Sequence, residues 1–558
     1  MTPLSPVRQP IRAHTRRVSV FIRQTGLSGW GLIPFFIAVL VLIPIGVVLS
    51  SYFSPSDDVW RHLVDTLLAR LLLNTLWLTL GVVAGTALLG VSLAWLTAAC
   101  DFPFRKIFDW ALMLPMAIPS YVTAFVAIGL LDFTGPVQTG LRHWFGRDDI
   151  WFPRIRSTGG VILVMTLALY PYVYLLARNA FLTQGRRGME AAQSLGHGRW
   201  GGFFRVALPM GRPWIVGGIM LVLMETLADF GTVSIFNYDT FATAVYKAWF
   251  GFFSLSAASQ LASLLVLIVF VLLLVEQRFR ARMRYTQVEK GGARGERIML
   301  GRPFQWLAFA YVLVVLIAAF LIPVSQLSVW TYQVFESDFD SRYMAYLSHS
   351  LFLGGMGALF TVAAALLLAY ADRLRRTFPI RIMVRIATLG YALPGSVLAV
   401  GIFIPLAWLD NRMISLGRSL FGLEFGLILN GTLVALFLAY LIRFLAVAHH
   451  PIQSAIQRIT PTIDETARSL GLSGISMLRR VHLPVLKGGL LTAAILVFVD
   501  VMKEMPITLM TRPFGWDTLA VRIFEMTSEG EWERAALPAV VLVVTGFLPI
   551  VLLTKQSR

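Results

Sequence analysis

Four carboxylates lie within long apolar stretches, where charged side chains are rare. They form two pairs with the same spacing, Glu225 with Asp229 and Asp500 with Glu504. A spacing of four residues predicts that both carboxylates of a pair lie on one face of a helix. Carboxylate oxygens suit a hard cation, so one hypothesis is a pathway lined by these four side chains. The alternative is a structural network between helices, in which Lys503 neutralises part of the second pair.

The sequence lacks the motifs of several kinds of enzyme. It contains no Gly-x4-Gly-Lys-Ser/Thr loop, so we expect no ATPase site of that type and no ATP bound by this chain. It has one cysteine, Cys100, and no His-Glu-x-x-His motif, which excludes a cysteine metal cluster and an intrachain disulfide. The neighbouring His449 and His450 are expected to be interfacial polar residues rather than metal ligands. We therefore expect neither a catalytic site nor a cofactor.

A polar segment occurs twice, at an offset of 275 residues. The same offset aligns other places far from it, including the two carboxylate pairs. The aligned segments are Glu190-Ala-Ala-Gln-Ser-Leu-Gly196 with Glu465-Thr-Ala-Arg-Ser-Leu-Gly471, Leu208-Pro209 with Leu483-Pro484, and Ala117-Ile-Pro119 with Ala392-Leu-Pro394. Because one offset accounts for all of them, the sequence predicts two homologous halves.

The repeated segment has the features of a short surface helix that contacts another protein. In the first copy, a helix over Met189–Leu195 is predicted to end at Gly196, and a second helix is predicted over Trp200–Ala207. The small Ala191 and Ala192 would allow close approach of a partner, and Glu190 lies in the first turn, where negative charge is favourable. An amphipathic helix on lipid headgroups is the alternative. The recurrence of one Glu-x-Ala-x3-Gly pattern disfavours it.

The composition indicates which elements must position these residues. Of 558 residues, 57% are hydrophobic and only 14% are charged, and the mean hydropathy is +0.72. These values exclude a soluble enzyme and a disordered chain, and they argue against a β-barrel. An all-α integral membrane protein remains. Twelve spans are predicted, at about 31–52, 72–99, 108–131, 159–182, 213–236, 258–276, 305–329, 350–371, 384–409, 424–447, 488–510 and 535–554.

The distribution of positive charge predicts the orientation of the spans. If both termini are cytoplasmic, the cytoplasmic segments carry 31 Lys and Arg residues and the outside loops carry 13. This asymmetry explains the net charge of +18 without nucleic acid. The predicted order is a cytoplasmic N-terminal segment, a first half of six spans, a flexible basic linker, a second half and a cytoplasmic tail. Their bounds are 1–30, 31–276, 277–304, 305–554 and 555–558. Since six is even, the halves are predicted to be parallel repeats.

The repeated segment resembles the signature loop of permease subunits of bacterial ABC importers. The resemblance covers essentially the whole chain and implies the type I (MetI-like) permease fold. In that family the loop forms a coupling helix seated in a cleft of an ATPase subunit. The resemblance therefore implies coupling roles for the aligned positions of both copies, the second of which departs by Thr466 in place of alanine. These positions are Glu190, Ala191, Ala192, Gly196, Leu208 and Pro209, and Glu465, Ala467, Gly471, Leu483 and Pro484.

Other stretches resemble one branch of this family, the fused permeases of ferric iron importers. They include Ala228-Asp-Phe-Gly-Thr-Val-Ser234 and Lys503-Glu-Met-Pro-Ile-Thr508. Permeases for thiamine, polyamines, sulfate or phosphonates look similar here and stay open as alternatives. The resemblance implies two ATP-binding ATPase subunits, an extracytoplasmic substrate-binding protein and a location in the bacterial inner membrane. An ion-coupled secondary transporter is the alternative from another class, and the repeated loop argues against it.

Overall fold

The computed structural model describes residues 29–53, 58–185, 198–282, 297–374, 377–422, 426–472 and 474–556. The described part is built almost entirely of helices. In the first part of the chain these are α1 (Gly29–Ser50), α2 (Asp58–Thr66), α3 (Leu68–Ala99), α4 (Arg105–Ala111), α5 (Ser120–Leu131), α6 (Pro136–Phe145), α7 (Thr158–Ala180), α8 (Arg199–Gly202), α9 (Leu208–Ala228), α10 (Gly231–Ile235), α11 (Phe241–Tyr246) and α12 (Leu255–Arg282).

The second part of the chain continues the same pattern of long and short helices. These are α13 (Arg302–Leu316), α14 (Ile322–Asp338), α15 (Ser341–Leu374), α16 (Phe378–Ala387), α17 (Gly395–Phe421), α18 (Leu433–Ile456), α19 (Pro461–Ser469), α20 (Gly474–Met477), α21 (Leu483–Lys503), α22 (Pro506–Thr511), α23 (Leu519–Ser528) and α24 (Trp532–Gln556). Two short strands, β1 (Cys100–Asp101) and β2 (Ile298–Met299), pair in parallel. This pairing gives residues 298–299, near the C-terminal end of the predicted linker, a regular structure.

Eleven helical segments of the described residues are long and apolar enough to cross a membrane, which confirms the all-α membrane class. They are Trp30–Phe53, Leu68–Ala99, Ser120–Phe145, Thr158–Thr183, Phe203–Ala228, Leu255–Arg278, Arg302–Asp338, Ser341–Leu374, Gly395–Leu420, Leu433–Ile456 and Gly474–Lys503. The twelfth predicted span, about 535–554, falls on α24, the end of which lies outside the part described in full.

The third and ninth predicted spans are not single helices. The prediction of continuous helices over 108–131 and 384–409 is wrong, because each stretch turns at a proline before the spanning helix begins. Pro119 and Pro394 have extended backbone angles and directly precede α5 and α17. A proline has no N–H to donate, so it fits the first turn of a helix and interrupts the interior of one. The preceding residues form the short helices α4 and α16.

A wider helical turn precedes α9 and α21 at aligned positions. Residues 203–207 and 478–482 are π-helical, and each run leads directly into the next α-helix. The separate second helix predicted over Trp200–Ala207 is therefore wrong, since this stretch continues into α9. Pro209 and Pro484 explain the wider turn, because a proline cannot make the ordinary hydrogen bond to the residue four positions earlier.

The described helices group into two compact units that do not follow the repeat. Of the described residues, one unit contains those up to 46 together with those in 355–391 and 437–498, and the other contains the rest. Most of α1 therefore packs with segments from the second half, where the ring of Trp30 meets Tyr370 edge-on at 5.1 Å. The predicted linker at 277–304 separates the two repeats of the sequence. The two compact units have different boundaries, so they do not correspond to the repeats.

In the larger unit, glycines allow α3, α7 and α9 to pack closely. A Cβ atom placed on Gly90 of α3 would lie 2.7 Å from the Cβ of Val173. One placed on Gly218 of α9 would lie 2.9 Å from the Cα of the same valine. Membrane helices associate through small residues because lipid gives no hydrophobic drive between them. These contacts hold α9, which carries Glu225, closely against α7.

Candidate functional site

The first carboxylate pair is split by a break in the helix. Helix α9 ends at Ala228, and Asp229 has extended backbone angles. The prediction that Glu225 and Asp229 share one helix face is therefore wrong. Asp229 instead accepts hydrogen bonds from the backbone N–H groups of Thr232 at 2.9 Å and Val233 at 3.3 Å. It thus satisfies the N–H groups that are unpaired at the start of the short helix α10.

The second pair is split in the same way, at the aligned residue. Helix α21 ends at Lys503, and Glu504 lies in the gap before α22. Its Oε1 accepts a hydrogen bond from the backbone N–H of Ile507 at 3.1 Å. Ile507 aligns with Thr232, so the two halves use aligned carboxylates to cap the same backbone position. The prediction of a shared helix face for Asp500 and Glu504 is wrong for the same physical reason.

The space around the two capping carboxylates differs between the halves. In the first half, the hydroxyl of Ser120 donates to Asp229 Oδ2 at 2.7 Å. The residue aligned with Ser120 is Gly395, where a Cβ atom would lie 3.0 Å from Glu504 Oε1 and 2.8 Å from the ring of Pro506. The longer glutamate thus occupies the space that the missing side chain leaves. Sequence reasoning did not identify Ser120 as a partner of the first carboxylate.

The two helix breaks adjoin each other. A Cβ atom on Gly231, at the start of α10, would lie 2.8 Å from the side chain of Met505, in the second break. Tyr121 lies beside the same glycine and donates to the backbone carbonyl of Lys503 at 3.4 Å. The ammonium of Lys503 donates to the carbonyl of Met116 at 3.1 Å. Lys503 therefore joins segments from the two halves through backbone oxygens.

The other two carboxylates remain on the spanning helices. Glu225 of α9 and Asp500 of α21 are half-buried. Tyr172 of α7 lies close enough to interact electrostatically with both. Among the described residues, no group of three or more His, Cys, Asp or Glu side chains is arranged to hold a metal ion.

The second copy of the repeated loop forms a short, partly exposed helix. Helix α19 begins with Pro461 in its first turn and ends in a Schellman motif. In this motif Gly471 has φ +78°, its N–H donates to Arg468, and the N–H of Leu472 donates to Ala467. Gly471 thus forms the predicted stop, since few other residues adopt this conformation.

The two faces of this helix differ in exposure. Ala467 is buried at its base, whereas Glu465 is exposed. Leu470 and Ile475 are 75% and 71% exposed in this polar loop. Leu483 and Pro484 follow at the start of α21. The loop therefore exposes a glutamate on α19 and two aliphatic side chains that follow this helix.

A buried ion-pair network holds the base of α19. Asp464, in its first turn, accepts hydrogen bonds from Arg373 at 2.7 Å and interacts with His482 Nε2 at 2.8 Å. Burial alone would raise the pKa of Asp464, but the bonds from His482 and Arg373 outweigh it and lower the pKa from the ordinary 3.8. Sequence reasoning missed all three residues. An arginine at the end of an apolar stretch was the available signal.

The first copy is described only in part. Glu190, Ala191, Ala192 and Gly196 lie outside the residues that the structure describes. Leu208 and Pro209 begin α9, as their aligned residues begin α21. The described residues next to this loop form an aromatic cluster. Trp95 meets Phe203 at 4.6 Å and Phe181 at 5.4 Å between ring centroids.

Comparison with known proteins fits this architecture. Residues 87–285 match the family described as "Binding-protein-dependent transport system inner membrane component". The chain is 28% identical over 497 residues to the Fe(3+)-transport system permease protein FbpB 2 of Haemophilus influenzae, covering 88% of this chain and 90% of that protein. These similarities support an ABC importer permease that resembles ferric permeases. Together with the apolar helices, they support a multi-pass inner-membrane transport subunit.

Two further relatives of this permease show the range of similarity. The ferric transport system permease protein FbpB of Actinobacillus pleuropneumoniae is 22% identical, covering 88% of this chain and 72% of that protein. The molybdenum transport system permease protein ModB of Escherichia coli is 29% identical over 147 residues, which are 26% of this chain and 62% of that protein. The permease thus resembles ferric permeases along most of its length and a molybdenum permease over a shorter part.

Proposed function

We propose that this permease imports ferric iron across the inner membrane. The observation that carries the proposal is the similarity to a Fe(3+) permease of Haemophilus influenzae along 88% of this chain and 90% of the relative. The second ferric relative also spans 88% of this chain. A match of this extent is too long to lie within one half of the chain.

The energy for import is proposed to come from two ATPase subunits that bind ATP and dock on the two repeated loops. The exposed Leu470 and Ile475 support this docking role, since bare aliphatic side chains in a polar loop favour a protein partner. The predicted excess of Lys and Arg in the segments that contain both termini and both loops supports a cytoplasmic location for them. An extracytoplasmic binding protein is proposed to deliver the solute at the opposite face.

The four intramembrane carboxylates are proposed to divide between two roles. Asp229 and Glu504 each cap a helix break by accepting a hydrogen bond from a backbone N–H group. Glu225 and Asp500 are half-buried on the spanning helices themselves, and we propose them as the side chains that line the pathway of a cation. A pathway needs weak, separated ligands, since a tight cage would prevent release.

Import of an oxyanion is the second candidate, because one relative is a molybdenum permease. An oxyanion binds well at backbone N–H groups at the start of a helix. At both breaks such N–H groups donate to a carboxylate of this chain, which repels an anion. The local charge therefore favours the cation.

Uptake into proteoliposomes tests the substrate. The permease is reconstituted with its ATPase and binding protein, and ATP-driven uptake of labelled ferric iron and of labelled molybdate is measured. We expect iron to accumulate with ATP and molybdate to stay outside. Uptake of molybdate without iron would overturn the proposal.

The same assay tests the pathway. Glu225→Gln and Asp500→Asn remove charge but keep shape, so they should lower iron uptake while thermal stability stays near that of the wild type. Asp229→Asn serves as the comparison, since it weakens a helix cap and should lower stability. Unchanged uptake in both Glu225→Gln and Asp500→Asn would exclude the pathway role.

A further inference from the structure

Three side chains from separate helical segments meet at the base of α19. Arg373 lies near the end of α15, Asp464 in the first turn of α19, and His482 just before α21. The guanidinium and the imidazole bind different oxygens of the same carboxylate, at 2.7 and 2.8 Å. The side chains of Arg373 and His482 are 9% and 2% exposed, so water competes little for these contacts.

Arg373 also reaches the end of the preceding spanning helix. Its Nη1 donates to the backbone carbonyls of Ile456 and Ile459, each at 3.1 Å. The carbonyls at the end of a helix have no partner within that helix, so the guanidinium satisfies groups that need a donor. One arginine therefore joins the end of α18 to the start of α19 and fixes the turn between them.

The first half cannot build this network. At the offset of 275 residues, Arg373, Asp464 and His482 align with Ala98, Met189 and Ala207. None of these three side chains carries a charge or a hydrogen-bonding group comparable to those of the network. The repeat preserves the loop itself and differs in the residues that anchor its base.

We propose that Arg373 and His482 are positioning residues that lock the second coupling helix to α15, α18 and α21. The inference rests on the proposed docking of α19 on an ATPase subunit. Short charge-assisted hydrogen bonds are directional, so a displacement of α19 moves the attached helices rather than bending the turn beside it. The second loop thus transmits ATPase motion through a fixed joint, and its three side chains are not repeated at the aligned positions of the first half.

The test uses the permease reconstituted with its ATPase and binding protein, and it measures solute imported per ATP hydrolysed. The variants are Arg373→Met, Asp464→Asn and His482→Phe, of which the last keeps a ring against Tyr370. Loss of one charged hydrogen bond lowers the population of the locked helix by roughly tenfold or more. We expect import per ATP to fall severalfold while ATPase subunits stay bound, and hydrogen exchange of 461–469 to accelerate.

A nearby contact provides the matched control. The Gln453 side chain donates to Asp372 at 3.2 Å and joins α18 to α15 without reaching α19. Gln453→Met should therefore leave both import per ATP and hydrogen exchange of 461–469 unchanged. Arg373→Lys keeps the charge and should restore part of the coupling that Arg373→Met loses.

The outcomes separate this inference from the proposed function. If Asp464→Asn and His482→Phe import normally per ATP with ATPase bound, the lock is excluded, even if Arg373→Met fails to insert. An equal loss in Gln453→Met would also overturn it, because the effect would then be one of general helix packing. If the wild type binds no ATPase, the docking proposal fails instead.

Discussion

In the second half, the ring of His482 lies edge-on to Tyr370 with 5.5 Å between centroids, and its nitrogen binds Asp464. At the aligned place in the first half, Trp95 packs on Phe203 at 4.6 Å. Both halves carry the same π-helical run and the same Leu-Pro beside these rings. The backbone is thus shared, while the side chains that pack beside it differ, with an imidazole bound to a carboxylate in the second half and two aromatic rings in contact in the first.

The helix breaks show the same kind of difference. In one half Ser120 donates to Asp229, and in the other Gly395 leaves space for Glu504. Both carboxylates nevertheless cap the aligned backbone N–H. A feature that the backbone requires is retained in both halves, whereas the side chains around it vary together. A substitution at a feature that both halves share should therefore have a similar effect in either half, whereas a substitution at a divergent feature should have an effect in one half only.

The largest effect is expected at the shared glycines of the coupling loops. In Gly471→Asp, the added Cβ atom would meet nothing within 4 Å in this chain, and aspartate tolerates positive φ better than most residues. The helix end should survive, and the side chain should obstruct the partner. Overpacking of an interface by 1–3 kcal/mol predicts a loss of ATPase association and uptake of about tenfold or more. Gly196→Asp should cause a similar loss of ATPase association and uptake.

Gly530→Asp is the control for this prediction. Gly530 has a similar φ of +82° and equally open surroundings, but it lies outside both coupling loops. The Gly530→Asp variant should leave ATPase association unchanged, as measured by copurification. Normal association in the double variant Gly196→Asp/Gly471→Asp, at normal membrane levels, would rule out the shared coupling role.

An intermediate effect is expected from giving the first helix break the side chains of the second. Ser120→Gly removes a donor to a carboxylate, at a cost of about 1.5–3 kcal/mol. Asp229→Glu alone places an extra methylene group in occupied space and should also lower the stability of the permease. Gly395 and Glu504 occur together in the second half of the native chain. The double variant Ser120→Gly/Asp229→Glu should therefore lose about 1 kcal/mol less stability than the sum of the two single losses. Thermal unfolding in detergent measures this coupling.

Ser325→Ala provides the reference for additivity, since Ser325 is exposed and bonds only within its own helix. Combined with Ser120→Gly, it should give the sum of the two single effects. If Ser120→Gly/Asp229→Glu is equally additive, the paired variation of the two breaks has no energetic basis.

The smallest effect is the acid sensitivity of the second loop alone. The pKa of Asp464 is lowered on folding, so its stabilisation is present at neutral pH and is lost as pH falls through the lowered value. The difference in melting temperature between wild type and Asp464→Asn should be constant above about pH 5 and vanish in strong acid. A difference that persists at the lowest pH would contradict the role of the charge.

Much of this fold follows from the sequence, because span length and hydropathy are local properties. The repeat at one offset also identified both loops and all four intramembrane carboxylates. The break at Asp229 was not predicted, since an i, i+4 spacing looks the same whether the helix continues or the carboxylate caps a new one. The partners Ser120 and Arg373 lie far away in sequence, and only the packed helices bring them to their carboxylates.

The proposed coupling depends above all on an ATPase subunit docking on the exposed side of α19. A photo-crosslinking amino acid at position 470 tests it most directly, with position 332 as the control, because Leu470 and Tyr332 are 75% and 87% exposed. If α19 is the docking site, position 470 should crosslink to the ATPase and position 332 should not, and the crosslink should disappear when Gly471→Asp is added. A permease that imports solute with ATP, yet crosslinks at position 470 to lipid alone, would contradict the claim.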